Sequence, residues 1–218
     1  MTEGRAAKIL KILRESFTMP SWVSDGKDPF QTLIVTIISQ NTSDKNTAKA
    51  FERLSEKFDI TPEVLANAET SHIEECLKVA GLYRNKAKTI KEISKIINEK
   101  FHGGLEPILT KPLEEARKTL LQLPGVGPKT ADVLLLFCSE KPTIPVDTHV
   151  NRVAKRLGLA PPNGDYEVVR ESLQALYNPR DYLDVHVLLI LLGRNFCKAK
   201  APLCKLCPVN KLCPSRLS

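Results

Sequence analysis

Apolar residues recur at helical spacing along almost the whole chain, and no stretch alternates convincingly as a half-buried strand would. Ala6, Ile9, Leu10, Leu13 and Phe17 fall on one helical face, and Phe30, Leu33, Ile34, Ile37 and Ile38 fall on another. The boundaries are marked as well. Asp28, Pro29 and Gln31 form a start signal: an N-cap, a proline at the first helical position and a capping-box partner. Thr61-Pro62 and Ser71 with Glu74 open two more helices, and Gly81 can close the second. Asn85 to Phe101 reads as a helix ended by Gly103-Gly104, and Lys111-Pro112, Gly127-Pro128 and Asn178-Pro179 lie at further starts. The pattern predicts an all-α fold of about ten helices, without tandem repeats. Regular capping predicts one continuous helical domain over residues 26–140. The segment after it, 141–218, has helices of its own and ends in clustered cysteines, while the pattern does not say where the helix within 1–25 packs.

Composition narrows the class. Charged residues make up 26% of the 218, as in ordinary globular proteins, and no apolar run is long enough to span a bilayer. Ala6 to Phe17 mixes lysine and arginine with apolar residues, unlike a secretory leader, so the chain is expected in the cytoplasm, with the genome. The net charge is +7, which suggests a polyanionic partner, and its distribution says more. From Gly193 to Ser218 there is no acidic residue, while Arg194, Lys198, Lys200, Lys205, Lys211 and Arg216 are interleaved with four cysteines. Cys197, Cys204, Cys207 and Cys213 follow the spacing C-x6-C-x2-C-x5-C. In a reducing compartment such crowding argues for metal rather than disulfides. Spacing alone leaves zinc and an iron–sulfur cluster open, although zinc ribbons usually pair two C-x2-C knuckles and only one is present. Cys76 and Cys138 read as buried and inert.

The most informative stretch is Leu123-Pro124-Gly125-Val126-Gly127-Pro128-Lys129-Thr130. A helix ending near Gln122 meets a tight turn, and a new helix opens at Pro128. Two glycines permit positive φ and a close backbone approach, and outward amides at a helix start suit a phosphate. An ordinary helix–turn–helix connection reads the same way. Lys129 falls near the second helical position, where the macrodipole disfavours a cation; this suits a nucleophilic amine, or a lysine that contacts phosphate. Asp147, in Pro145-Val146-Asp147-Thr148-His149, opens another helix. It is an N-cap or a carboxylate able to stabilise an oxocarbenium-like sugar.

Leu123 to Asp132, followed by Pro145 to Val150, resembles the helix-hairpin-helix DNA glycosylase superfamily. A lysine at position 129 is similar to the endonuclease III branch. The resemblance extends to Ile38-Ser39-Gln40-Asn41-Thr42-Ser43-Asp44 and Gly81-Leu82-Tyr83-Arg84-Asn85-Lys86-Ala87, and covers nearly the whole chain. It implies a six-helix barrel plus an iron–sulfur helical domain, with the active site in the cleft between. It implies Lys129 as nucleophile and Asp147 as its carboxylate partner. Gln40 and Leu82 would fill the gap left by an extruded base. Leu123, Gly125, Val126, Gly127, Thr130, His149, Lys198, Lys200 and Lys205 would contact DNA, His149 alternatively only packing. The four clustered cysteines would hold a [4Fe–4S] cluster, chiefly structural. The implied activity is excision of oxidised pyrimidines from duplex DNA by a monomer, followed by strand cleavage. A mismatch thymine or uracil glycosylase on the same fold is the alternative. An adenine glycosylase would carry a glutamate where Leu33-Ile34-Val35-Thr36-Ile37-Ile38 has no carboxylate. A non-catalytic DNA-binding scaffold would need neither Lys129 nor Asp147.

Overall fold

The computed structural model describes residues 3–23 and 28–217, and every regular element among them is helical. The chain divides into two compact units, Gly26–Ser139 and the pairing of Met1–Asp25 with Glu140–Ser218.

The first unit holds α2 (Pro29–Ser39), α3 (Asp44–Lys57), α4 (Pro62–Asn67), α5 (Thr70–Leu77), α6 (Tyr83–Lys100), α7 (Glu106–Leu109), α8 (Leu113–Leu120) and α9 (Pro128–Ser139). Side-chain caps start several of them: Asp28 accepts from Gln31 N at 2.7 Å, Ser43 from Asn46 N and Thr61 from Val64 N. Helix α2 buries Phe30, Leu33, Ile34, Thr36, Ile37 and Ile38, too wide an arc for a surface helix. Helix α9 buries every residue from Thr130 to Leu136. These two pack together at the centre of the unit and carry the loop before α3 and the turn before α9. Asp132, fully buried in α9, is held by Arg117 of α8 through Nε at 2.9 Å and Nη2 at 3.2 Å. The fork-shaped pair braces α8 against α9 on either side of the glycine turn, and satisfies a charge that burial would otherwise make costly.

The second unit holds α1 (Glu3–Ser16), α10 (Thr148–Arg156), α11 (Tyr166–Leu176) and α12 (Tyr182–Asn195), followed by the cysteine-bearing tail. The apolar face of α1 buries Ala6, Ile9, Leu10 and Leu13 against α12, and Arg14 reaches Asp181 and Asp184 at the start of α12. Arg5 donates to the carbonyls of Leu157 and Leu212, both at 2.7 Å, fastening α1 to the end of α10 and to the tail.

Two local expectations change. Helix α5 starts at Thr70 behind Glu69, which makes no side-chain cap bond, so Ser71 lies inside the helix and does not open it. Cys138 is half-buried where α9 runs out toward the surface, whereas Cys76 is buried as expected. No described helix is long and apolar enough to cross a membrane.

Candidate functional site

In the first unit three short connections carry the predicted DNA-facing residues. Between α2 and α3, Gln40 is exposed and followed by Asn41 at φ 54°. Between α5 and α6, Gly81 at φ 63° and Leu82 at φ 49° turn the chain, and Leu82 is 59% exposed. Asparagine enters the left-handed region readily, whereas for a leucine it costs about 1–2 kcal/mol, so the Leu82 loop holds a conformation that its surroundings must enforce. Between α8 and α9, Gly125 sits at φ 74°, where a β-carbon would collide with the methyl group of Thr89. Only glycine meets both demands there. The amide of Val126 closes this turn onto Leu123 O at 3.2 Å.

Leu123, Val126 and Thr130 are buried and the Val126 amide is used in the turn, so these side chains hold the turn's shape. Gly125 and Gly127 remain exposed at its tip. Lys129, the second residue of α9, is half-buried beside that tip. The side chain of Gln40 also reaches the turn, its Nε2 donating to Gly125 O at 3.0 Å.

In the second unit Asp147 caps α10, accepting from Val150 N at 2.7 Å. Half-buried, it lines a recess of about 200 Å³ with Val146, Thr148, Asn151, Gly164, Asp165 and Tyr166. The peptide leading into it is fixed on both sides. Val146 N donates to Tyr166 Oη at 3.3 Å, and the buried ring of His186 bonds Pro145 O through Nδ1 at 2.8 Å. A carbonyl only accepts, so Nδ1 carries the proton. Neither residue is evident from sequence as part of this site. The only signal is a histidine on an otherwise apolar helix, which must find a polar partner. His149 is half-buried against Gly193, where any β-carbon would lie 3.0 Å from its own, and its Nδ1 takes a bond from Arg152 at 3.1 Å.

The four clustered cysteines line one cavity of about 150 Å³. Its rim is fastened by α10, in which Arg152 and Arg156 stand one turn apart. Arg152 donates to Cys197 O at 2.9 Å, and Arg156 to Lys198 O at 2.7 Å and Ala199 O at 3.1 Å. Arg156 also points Nη1 at Cys197 Sγ, 3.5 Å away. No three His, Cys, Asp or Glu side chains among the described residues draw together as a single metal ion would require. Lys198, Lys200 and Lys205 are exposed on the same loop.

Comparison with known proteins gives one consistent answer. The profile of the HhH-GPD superfamily base excision DNA repair protein matches residues 34–179. The endonuclease III of Thermotoga maritima is 40% identical over 85% of this chain and 83% of its own. That of Sulfolobus acidocaldarius is 34% identical over 93% and 89%. A trapped endonuclease III–DNA covalent intermediate, an estranged-adenine complex, superposes with a TM-score of 0.87 at 31% identity, covering 99% of this chain and 97% of that one. The hairpin turn with Lys129 and the capping Asp147 therefore stand in an all-helical glycosylase fold, and the chain belongs to the HhH-GPD superfamily of base excision DNA repair proteins, within its endonuclease III family.

Proposed function

We propose that this chain excises oxidised pyrimidines from duplex DNA and then cleaves the strand 3′ to the abasic site, with Lys129 as nucleophile and Asp147 as the stabilising carboxylate. The observation that carries the reading is Lys129 at the start of α9, directly behind the hairpin turn, in a member of a family for which a covalent DNA intermediate has been trapped. Trapping requires a protein nucleophile, and a primary amine supplies one.

The chemistry runs as follows. Gly125 and Gly127 at the turn tip, with Lys198, Lys200 and Lys205, hold the phosphate backbone. The damaged nucleotide leaves the stack, and Gln40 and Leu82 occupy its place. The neutral Lys129 amine attacks C1′ as the glycosidic bond breaks; the bonding pair leaves with the base, and the proton lost from the amine passes to Asp147 and on to the departing base. The Asp147 carboxylate stabilises the positive charge that develops on the sugar. Ring opening gives an imine, which acidifies the C2′ proton. Loss of that proton expels the 3′ phosphate by β-elimination, and water releases the enzyme. The buried Leu123, Val126 and Thr130 serve as scaffold for the turn, and His149 packs against Gly193.

Cys197, Cys204, Cys207 and Cys213 are read as ligands of a [4Fe–4S] cluster. A single zinc gathers its sulfurs within about 2.3 Å of one point, whereas a four-iron cluster takes each cysteine on a different iron. Four thiols lining one cavity, with only one of the two C-x2-C knuckles that a zinc ribbon usually has, suit the cluster. It would hold the lysine-bearing tail in shape. The purified protein should accordingly contain about four irons per chain and no stoichiometric zinc; one zinc and no iron by elemental analysis would overturn the assignment. On the same reading residues 26–140 form the six-helix barrel, and 1–25 with 141–218 form the cluster-bearing body.

The activity is tested by a panel of labelled duplexes carrying thymine glycol, uracil, mismatched thymine or an abasic site. Nicking of the thymine glycol and abasic duplexes is expected. Base loss without nicking, confined to uracil or mismatched thymine, would favour the mismatch glycosylase instead.

A further inference from the structure

Lys86 lies in the first turn of α6 and is only 5% exposed, an unusual place for a lysine. Its ammonium donates to Ile38 O at 2.8 Å and to Ala80 O at 3.0 Å. Both acceptors are main-chain carbonyls, and burial pulls the Lys86 ammonium below the ordinary lysine range. Ile38 stands two residues before Gln40, and Ala80 two residues before Leu82. The Ile38 carbonyl is one of those left over at the C-terminal end of α2, where a cation is favoured. One buried group thus fastens the roots of two loops that are distant in sequence, and each loop holds a left-handed residue, Asn41 in one and Leu82 in the other. The Gln40 side chain extends the connection to the hairpin turn through Gly125 O.

We infer that Lys86 is a positioning residue that locks the Gln40 and Leu82 loops in register, so that both side chains enter the same gap in the duplex. The inference rests on the reading of Gln40 and Leu82 as the gap-filling pair. A shorter, purely apolar contact would leave both carbonyls buried without a donor, and the loop roots would move independently. A lysine delivers two bonds from one point at the end of a long apolar stem. Misplacement of reacting groups by about 1 Å costs up to about a hundredfold in rate, so loosening this link should be felt at the lesion.

The test uses a duplex with a stable tetrahydrofuran abasic analogue and 2-aminopurine opposite it. Its fluorescence changes when inserted side chains displace the orphan base. Gln40→Ala and Leu82→Ala should each diminish the change. Lys86→Met should diminish it as much as both together, slow thymine glycol excision about tenfold or more, and leave affinity for undamaged duplex within about twofold. Added to the Gln40→Ala, Leu82→Ala double variant, it should cost less than about a further twofold, because coupled residues are not additive. A normal fluorescence change in Lys86→Met, or full additivity, would overturn the inference while leaving the gap-filling pair intact. No effect of Gln40→Ala or Leu82→Ala would instead remove the reading beneath it. Should Lys86→Met fail to give a cooperative melt, hydrogen exchange of Lys86→Arg decides. Exchange should rise together at 40–42 and 82–84, and a rise in one loop alone, or in neither, contradicts a shared link.

Discussion

Replacing Asp147 by Asn should slow release of an oxidised pyrimidine about a thousandfold, with little change in stability. The two effects separate because Asp147 has two tasks. As N-cap of α10 it accepts from Val150 N at 2.7 Å, and the amide oxygen of Asn can make that same bond, Asn and Asp being comparable caps. The melting temperature should therefore hold within about 2 °C. On the proposed mechanism, what Asn cannot supply is the negative charge that would face the sugar as the base departs, and preorganised charge is among the largest single contributions to catalysis. At a preformed abasic site the base has already gone, so imine formation by the same variant should stay within about tenfold of the parent. Asp147→Ala removes cap and charge together and should add a loss of about 1 kcal/mol in stability. Single-turnover rates on matched thymine glycol and abasic duplexes, with melting curves, check all of this. Equal losses on both substrates would assign Asp147 a role in shaping the loop and not in base departure.

The structure explains why such a variant can be clean. Pro145 and Val146 are held by His186 and Tyr166, so the approach to Asp147 does not depend on the carboxylate itself. These holders lie 41 and 20 positions away in the chain, and no local pattern announces them. Asp147 is visible in sequence because capping is a local interaction, read three residues on. The same holds for Asp28 and Thr61, which cap α2 and α4 three residues ahead of the amides they bind. Where the cap is absent the local reading slips, as at α5, which begins behind Glu69 and not at Ser71.

Lys86 shows the opposite case. In Arg84-Asn85-Lys86-Ala87-Lys88 it reads as one more solvated charge, and only the approach of two remote carbonyls makes it a buried tie. Arg117 and Asp132 are similar: the aspartate belongs to the recognised motif, but its burial against a guanidinium on the preceding helix is a property of packing. The turn itself was legible as a backbone device, since Gly125 needs positive φ and meets Thr89. The sequence did not distinguish which neighbours face out, and Leu123, Val126 and Thr130 proved to be its inner side. The cysteines are clear as a group because their spacing is short, whereas the arginines that fasten their loop come from α10, one turn apart and well upstream.

The most direct test of the account is covalent capture at Lys129. An amine that attacks C1′ passes through an imine, and borohydride reduces an imine to a stable secondary amine, so parent protein and labelled abasic-site DNA should become irreversibly joined. Lys129→Gln removes the amine but keeps a polar side chain at the second position of α9. The exposed glycines of the turn and the lysines of the tail remain, so binding to undamaged duplex should stay within about threefold. Trapping and lesion-dependent nicking should both vanish, since no other part of the mechanism replaces the nucleophile. Peptide mapping of the parent adduct should place the modification on Lys129. Full trapping by Lys129→Gln, with the adduct on another residue, would contradict the mechanism while leaving the fold assignment untouched.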